Sequence, residues 1–336
     1  MLALRQRSGG LAYMRRSRTI APLIVVTTMA AALPVQAFDL QGHRGARGLA
    51  PENTLAAFAK ALEIGVTTLE TDLAVSSDGV LVLSHDPVLN PDIMRGADGK
   101  WLAAPGPAIN TMTLAEIKRL DVGRLDPSGK YARQFPGQKP ADGARIPTLA
   151  ELFELVERSK KPVRFNIETK LSPEAPTQTP DPDTFARLVV EAIRKAGLAS
   201  HATIQSFDWR TLMAAKRLAP EIETVCLTSP PTLRDKNDGA RRAPSPWLAG
   251  LDPADHGGSA PRLAKAAGCG TWSPRFSELT PALVEEAHGL GLKVVPWTVN
   301  ARDDMVRIIG MKPDGLITDY PDRAREVMAE KGLPLP

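Results

Sequence analysis

Short apolar or β-branched segments alternate with segments of helical periodicity along most of this 336-residue chain. Segments with strand character are Asp39–His43, Thr67–Leu73, Val163–Lys170, Thr203–Phe207, Thr224–Thr228, Gly270–Ser273, Lys293–Val299 and Gly315–Thr318. Helical periodicity occurs over Leu55–Ile64, Leu149–Arg158, Thr184–Ala196, Trp209–Leu218, Pro261–Ala267, Pro281–Leu290 and Ala301–Ile309. Because strand–helix alternation builds parallel β/α units, these strands predict an α/β fold, a closed TIM (β/α)8 barrel. A doubly wound open sheet is the competing topology.

The first 37 residues are predicted to be a secretory signal peptide. Five arginines between positions 5 and 18 precede an apolar run from about Ile20 to Leu33, and Val35-Gln36-Ala37 fits a small-residue cleavage site. The apolar run is too short for a membrane span. An uncleaved N-terminal anchor is the alternative. We therefore expect cleavage after Ala37, a periplasmic or secreted protein, and no stable membrane insertion of the mature chain.

The charge of the mature chain argues against nucleic acid as a partner. Lys and Arg number 42 against 38 Asp and Glu, and residues 1–37 hold five of the basic residues and none of the acidic ones. The body that follows therefore has a net charge of −1, without the positive excess that binds a phosphate backbone. Its length suits one large barrel domain spanning residues 38–336.

Two long connections interrupt the alternation of strands and helices. Residues 87–148 and 229–260 are rich in Gly, Pro and polar residues, with one short helical stretch near Leu114–Leu120. Connections of this length in a compact barrel are usually lids or binding loops. We expect both to follow strands, on the face of the barrel where active sites lie.

The chain contains two cysteines, Cys226 and Cys269. An oxidising compartment would permit a disulfide between them. Because the sequence alone gives no geometry, two separate buried thiols are the favoured interpretation. Neither cysteine has the local pattern of a nucleophile.

Acidic side chains cluster at the ends of the predicted strands. Glu70 and Asp72 are two positions apart, so strand alternation places both carboxylates on one face. Glu168 ends a later strand and shares its face with Asn166 and Lys170. Carboxylates this close need a proton or a cation between them, and ligands that are all oxygen select Mg²⁺ or Ca²⁺ over zinc. We predict one divalent cation held by Glu70, Asp72 and Glu168, with buried ion pairs such as Glu168–Lys170 as the alternative.

Two histidines, His43 and His85, flank the acidic strand. The ordinary pKa of histidine lies near 6.5, so either ring can give or take a proton at neutral pH. Arg44 and Lys170 could balance the excess negative charge or bind an anionic ligand. This combination suits phosphodiester cleavage, in which one histidine activates the nucleophile and the other protonates the leaving alkoxide.

The series HRG, PENT, Glu-X-Asp, SHDP, IETK, PWTVN and GLITDYP resembles the glycerophosphodiester phosphodiesterases, in the same order and over essentially the whole mature chain. The resemblance implies a TIM barrel with an inserted segment after the second strand, here residues 87–148. It implies hydrolysis of deacylated phospholipids, such as glycerophosphocholine or glycerophosphoethanolamine, to sn-glycerol 3-phosphate and an alcohol. The implied site residues are His43 and His85 for acid–base chemistry, Glu70, Asp72 and Glu168 for one Ca²⁺ or Mg²⁺, and Arg44 and Lys170 for the phosphate.

Three further positions are candidates for substrate contacts. Trp297 could stack under the glycerol or simply fill the barrel. Gln205 ends another strand and could touch the substrate. Glu52 could orient His43 or Arg44, or could merely be an acid in the first helical turn, where acids are favoured.

Two other functions stay open. One is phospholipase D-like activity of the sphingomyelinase D type on lysolipids, which resembles this family in barrel, histidine pair and metal-binding acids. The other is a non-catalytic periplasmic binding protein on the same barrel. For the phosphodiesterase, we hypothesise that His43 is the base and His85 the acid, with either water or a neighbouring substrate hydroxyl as the first nucleophile.

Overall fold

The computed structural model describes residues 37–234, 236–237 and 242–336, together with the short pieces 2–3 and 9–10. Contacts divide the chain into two units, Met1–Val35 and Gln36–Pro336. The predicted signal peptide lies almost wholly outside the described residues, as does part of the 229–260 connection. Within the part of the chain that is described, no helix is both long and apolar enough to cross a bilayer.

The strands follow the predicted alternation closely. They are β1 (Asp39–Gly42), β2 (Thr68–Val75), β3 (Leu81–Leu83), β4 (Arg164–Thr169), β5 (Ala202–Ser206), β6 (Glu223–Thr228), β7 (Lys236–Asn237), β8 (Arg242–Ala243), β9 (Thr271–Pro274), β10 (Lys293–Val294) and β11 (Gly315–Thr318). The pair β7–β8 forms a separate small hairpin, and β3 pairs antiparallel to β2. The predicted strand Lys293–Val299 is shorter than expected, although Val295 and Trp297 still donate backbone hydrogen bonds to the strand before them.

The remaining strands form a parallel barrel in the order β10–β9–β6–β5–β4–β2–β1–β11. Its two ends meet, because the backbone N–H groups of Asp314 and Ile317 donate to the carbonyls of Val294 and Pro296, each at 2.9 Å. The sheet is therefore a nearly closed eight-stranded barrel. This confirms the TIM-barrel prediction, and the open doubly wound alternative is wrong.

Helices cover the outside of the barrel. They are α1 (Leu55–Ile64), α2 (Leu114–Ile117), α3 (Leu149–Ser159), α4 (Pro182–Lys195), α5 (Trp209–Leu218), α6 (Pro230–Leu233), α7 (Ala260–Ala266), α8 (Pro281–Gly289), α9 (Arg302–Gly310) and α10 (Pro321–Glu330). Helix α10 is absent from the sequence-based assignment. Its signal was present, because Ala324, Val327 and Met328 recur at helical spacing and are all buried.

Several helices begin where the sequence supplies a capping side chain. The Thr54 hydroxyl accepts a hydrogen bond from the Ala57 N–H at the start of α1. Thr148 and Glu151 form a reciprocal capping box at the start of α3. These side chains satisfy backbone N–H groups that have no partner inside the helix. They fix where each helix starts, and therefore how long the preceding loop over the barrel rim is.

The inserted segment, residues 87–148, packs as a small layer with its own apolar core. Ala74 of β2 and Val82 of β3 form the base of this core. Its other buried members are Leu89, Ile93, Met94, Ile109, Ile117, Leu120, Val122, Leu125, Phe135 and Ile146. Burial of this many apolar side chains holds the segment in place beside the carboxyl ends of the strands.

Cys226 and Cys269 form a disulfide, with their Cα atoms 5.9 Å apart. The prediction of two free thiols is therefore wrong. Cys226 lies on β6 and Cys269 just precedes β9, and these two strands are neighbours in the barrel. Their adjacency depends on the pairing of β6 with β9 in the barrel and cannot be seen in a sequence separation of 43 residues.

Removal of this disulfide is expected to destabilise the fold. A cross-link that closes a loop of this length restricts the unfolded chain, so Cys226→Ala/Cys269→Ala should lower the free energy of unfolding by about 2–4 kcal/mol. Urea unfolding followed by circular dichroism measures the change. Wild-type protein in reducing buffer is the control, because it lacks the cross-link but keeps the packing of both cysteine side chains. Equal midpoints for the oxidised and reduced wild type would contradict the expectation.

Candidate active site

Three carboxylates converge inside the barrel near the carboxyl ends of its strands. Glu70 and Asp72 come from β2 and Glu168 from β4, with Asp72 directly opposite Glu168 in the parallel register. All three residues are buried, and one oxygen from each lies within 4.8 Å of the others. The structure thus brings together the three acids that the sequence placed on two separate strands.

The outer contacts of these carboxylates leave one buried oxygen without a hydrogen bond. Glu70 accepts from the Arg44 backbone N–H and from Gln205 Nε2, both at 2.8 Å, and Asp72 Oδ2 accepts from Asn53 Nδ2 at 2.9 Å. Asp72 Oδ1 has no hydrogen-bond partner. A buried carboxylate oxygen without a donor is costly, and three oxygen ligands suit a hard cation. The triad therefore fits a divalent ion.

The alternative ion pair between Glu168 and Lys170 is also present. Lys170 Nζ lies 2.7 Å from Glu168 Oε1 and 3.8 Å from Asp72 Oδ1. Lys170 and the Arg44 guanidinium, which contacts both Asp72 and Glu52, carry fewer charges than the three carboxylates and Glu52 together. The ion pair therefore accompanies the acidic cluster and does not replace the need for a further positive charge.

The three carboxylates differ in their protonation behaviour. Burial, with Asp72 and Glu168 nearby, raises the pKa of Glu70 well above its usual range. Burial also raises the pKa of Glu168 to about 7, although Lys170 opposes this shift. For Asp72, burial is outweighed by the Arg44 guanidinium and other nearby positive charges, which hold its pKa below its usual range. Without an ion, the site therefore retains protons that a cation would have to displace.

We expect the affinity for a divalent ion to fall on acidification. Since the folded-state pKa of Glu168 lies near 7, this carboxyl is increasingly protonated below that pH. Each displaced proton should cost about tenfold in apparent affinity per pH unit below 7. Calorimetric titration of chelator-stripped protein with Ca²⁺ or Mg²⁺ between pH 5.5 and 8 measures this dependence. A dissociation constant that does not change with pH over this range would contradict it.

His43 is held by a buried carboxylate that sequence reasoning missed. Its Nδ1 lies 2.6 Å from Asp319 Oδ1, and Asp319 also accepts hydrogen bonds from Arg47 and Asn300. Nδ1–H therefore donates to Asp319, and Nε2 is left as an acceptor, 3.9 Å from Glu70 Oε2. Burial and the Arg47 guanidinium lower the pKa of His43 to about 4. The ring is thus neutral and able to accept a proton at pH 7.

His85 follows β3 and has a different environment. Its Nδ1 lies 2.8 Å from Asp86 Oδ1, and Asn90 in turn donates to the other Asp86 oxygen at 2.6 Å. One third of the His85 side chain is exposed, whereas only 11% of the His43 side chain is. Burial and the Arg44 and Lys170 charges lower the pKa of His85. An anion bound beside these two cations would offset their effect on this pKa.

The Arg44 guanidinium is held by two acidic partners, one of which is held in turn by a tyrosine. Its backbone adopts a left-handed conformation with φ of 50°, and its guanidinium contacts Glu52 Oε1 at 2.6 Å and Asp72 Oδ2 at 3.0 Å. The second Glu52 oxygen accepts a hydrogen bond from the Tyr131 hydroxyl of the inserted segment. In the structure, Glu52 therefore contacts Arg44 and not His43.

The site residues surround a cavity of about 160 Å³ with a polar and an apolar wall. Trp297 belongs to the apolar wall, packs edge-to-face on Phe207 with ring centres 5.3 Å apart, and donates its indole N–H to Ser273. The residues lining the cavity are His43, Arg44, Arg47, Glu70, His85, Glu168, Lys170, Gln205, Phe207, Leu227, Trp297, Thr298 and Ile317. Gln205 lines the cavity while its amide holds Glu70.

Several residues that complete the site were not identified from the sequence. Asp86, Asn53 and Asp319 stand inside the quoted motifs SHDP, PENT and GLITDYP, so a signal existed for them. Arg47 and Tyr131 had no such signal. Arg47 follows His43 by four residues, Tyr131 lies in the long inserted segment, and neither stands in a distinctive local pattern. They reach the site only through the tertiary structure.

Comparison with known proteins identifies the family of this chain. The model of the glycerophosphoryl diester phosphodiesterase family matches residues 43–323. A glycerophosphodiester phosphodiesterase of Caldanaerobacter subterraneus subsp. tengcongensis is 29% identical over 86% of this chain and 97% of its own length. A glycerophosphodiester phosphodiesterase of Bacillus subtilis is 28% identical over 85% of this chain and 84% of its own.

Solved structures show the same barrel. A Silicibacter pomeroyi protein with a provisional glycerophosphoryl diester phosphodiesterase name superposes with a TM-score of 0.78 and 34% identity, covering 89% of this chain and 95% of its own. An Oleispira antarctica phosphodiesterase in complex with the product sn-glycerol-3-phosphate has a TM-score of 0.61 and 22% identity, covering 87% of this chain and 96% of its own. At that identity, the second likeness concerns the fold alone.

Proposed function

Because this chain belongs to the glycerophosphoryl diester phosphodiesterase family, and is therefore a phosphodiester-hydrolysing enzyme, we propose its substrates, ion and acid–base groups. The substrates are deacylated phospholipids such as glycerophosphocholine and glycerophosphoethanolamine. The products are sn-glycerol 3-phosphate and the headgroup alcohol. The proposed ion is Ca²⁺ or Mg²⁺, held by Glu70, Asp72 and Glu168.

One observation carries this proposal: two carboxylate-anchored imidazoles border the same cavity as the acidic triad. The Nδ1 atoms of His43 and His85 each contact an aspartate, which leaves both Nε2 atoms available for proton transfer. Arg44 and Lys170 line the same cavity. A phosphodiester bound there would have cations at its oxygens and a proton-transferring group near the attacking and leaving atoms.

In the proposed reaction, His43 Nε2 takes the proton of the attacking hydroxyl, which belongs either to water or to the glycerol unit. The new phosphorus–oxygen bond forms while the bond to the headgroup oxygen breaks, and His85 gives that oxygen its proton. When the glycerol hydroxyl attacks, the first product is a cyclic phosphate, and water then opens its ring to give sn-glycerol 3-phosphate. Arg44 and Lys170 bind the phosphate oxygens and stabilise the charge that develops on them. The bound divalent ion would supply further positive charge to polarise the phosphate.

The burial of the two rings supports this division of roles. His43 is the more buried ring, and its Nδ1–H donates to Asp319, so the ring starts neutral with Nε2 free to accept a proton. His85 lies at the more exposed side of the cavity, where a headgroup alcohol can leave to solvent. The arrangement therefore supports binding of the glycerol phosphate inside the cavity, with the alcohol toward its mouth.

Product analysis tests the proposed substrates. The mature protein, residues 38–336, is incubated with glycerophosphocholine, glycerophosphoethanolamine, lysophosphatidylcholine and sphingomyelin, with and without EDTA. We expect sn-glycerol 3-phosphate and free alcohol from the first two substrates. Preferred turnover of lysophosphatidylcholine or sphingomyelin would favour the phospholipase D-like alternative. Binding of a substrate without turnover would favour the binding protein. Release of glycerol and a phosphorylated headgroup would contradict the proposed bond cleavage.

We also propose that the protein acts outside the cytoplasm. The disulfide between Cys226 and Cys269 supports this location, because such bonds persist mainly in oxidising compartments. Mass spectrometry of the protein recovered from periplasmic and cytoplasmic fractions tests it. A mature chain that begins at Phe38 in the periplasmic or extracellular fraction is expected. An intact N-terminus found in the cytoplasm with reduced cysteines would contradict the proposal.

A further inference from the structure

A series of hydrogen-bonded amides lies beneath the acidic triad, inside the barrel. Gln205 Nε2 donates to Glu70 Oε1 at 2.8 Å, and Gln205 Oε1 accepts from Asn166 Nδ2 at 2.8 Å. Asn166 Nδ2 also donates to Gln41 Oε1 at 2.9 Å. Asn166 and Gln205 are each 1% exposed and Gln41 is 5% exposed. Bulk water therefore cannot take over these hydrogen bonds.

The orientation of each amide is determined by its neighbours. Thr203 Oγ1 donates to Asn166 Oδ1 at 2.9 Å, so the nitrogen of Asn166 faces the two glutamines. Gln41 Nε2 donates to Asp39 Oδ2 at 2.8 Å, so its oxygen faces Asn166. Because every donor meets an acceptor, the network has one arrangement that satisfies all of its members.

Strand alternation explains why these residues meet. Asn166 precedes Glu168 by two positions on β4 and lies directly opposite Glu70 in the register with β2. Gln205 lies opposite Glu168 in the register with β5. The amides thus lie opposite the carboxylates on neighbouring strands, among the inward-facing side chains of one barrel.

We propose that Asn166 is a positioning residue for the divalent-ion site, acting through Gln205 on Glu70. This inference rests on the ion site of the proposed function. With its oxygen occupied by Asn166, Gln205 must present Nε2 to Glu70 and hold this carboxylate in place. Without Asn166, the Gln205 amide is free to rotate and to turn its oxygen toward the Glu70 carboxylate, where two acceptors repel each other.

The test measures ion affinity, since a residue that merely supports the fold would not change it selectively. Chelator-stripped wild type, Asn166→Leu, Gln205→Met and the double variant are titrated with CaCl₂ and MgCl₂ by calorimetry. Asn110→Leu is the matched control, because it makes the same change at an asparagine of the inserted segment whose amide donates to the Thr177 carbonyl, outside the lining of the cavity. Thermal unfolding of each variant checks the fold, and Asn166→Ala is used if Asn166→Leu does not fold.

We expect Asn166→Leu and Gln205→Met each to raise the dissociation constant by about 10–100-fold, as is usual for residues that hold metal ligands. The double variant should be little weaker than the weaker single variant, because both changes break one path. At saturating ion, kcat of Asn166→Leu should return toward wild type. Asn110→Leu should bind either ion within about twofold of wild type.

Wild-type affinity in Asn166→Leu, or additive losses in the double variant, would overturn the role of Asn166 and leave the ion site standing. If the wild type itself binds neither ion, both the ion site and this inference are wrong. The two failures are therefore distinguishable.

Discussion

His85→Ala is expected to lower kcat for glycerophosphocholine by about 10²–10⁴-fold but to leave hydrolysis of a glycerol nitrophenyl phosphodiester within about tenfold of wild type. The difference arises because choline leaves as an alkoxide that needs a proton, whereas nitrophenolate is stable without one. The position of His85 at the more exposed side of the cavity is the structural basis for this expectation. Steady-state kinetics with both substrates at saturating Ca²⁺ or Mg²⁺ measures it.

His43→Ala is the matched comparison, because a base is needed whichever group leaves. Its kcat should fall by a similar factor, about 10²–10⁴-fold, on both substrates. His201→Ala is the control, since His201 is exposed and lines a different cavity from the acidic triad. Equal losses for His85→Ala on both substrates would contradict its role as the acid. A His43→Ala variant that spares the nitrophenyl substrate would reverse the two roles.

Removal of divalent ions by EDTA is expected to lower hydrolysis of glycerophosphocholine by about 10²–10³-fold, and added Ca²⁺ or Mg²⁺ should restore it. A cation beside the phosphate supplies several kcal/mol of stabilisation to the transition state, and each 1.4 kcal/mol corresponds to a factor of ten. Rates measured after dialysis against chelator, and again after addition of each ion, check this. Full activity in the chelator would contradict the proposed dependence on an ion.

Asp72→Asn tests the same site by substitution. The change keeps the shape of the side chain but removes the charge of the carboxylate whose Oδ1 has no hydrogen-bond partner. We expect the ion dissociation constant to rise and activity at low ion concentration to fall by a similar factor. Glu154→Gln is the control, because Glu154 is an exposed acid of α3 outside the barrel. Ion binding by Asp72→Asn that equals wild type would show that Asp72 is not a ligand.

The chain's local patterns predicted the barrel elements and much of the site. Alternation in β2 put Glu70 and Asp72 on one face, and the same period in β4 put Asn166 and Glu168 on one face. A strand repeats every two residues and a helix about every 3.6, so such patterns identify an element and the side chains it buries. Helix α10 carries this pattern too, in Ala324, Val327 and Met328, but is missing from the sequence-based assignment.

Contacts between residues far apart in the sequence depend on how the barrel and its inserted segment pack, and no local pattern contains them. Asp319 fixes His43 from 276 residues away, Tyr131 reaches Glu52 across 79, and Cys226 meets Cys269 across 43. Each contact exists because strands or loops that are far apart in the sequence become neighbours in the folded barrel. By itself, the sequence determined the elements, their inward faces and the acid, base and cation types. The tertiary structure alone decided which partners hold them, because strand order depends on how the whole chain packs.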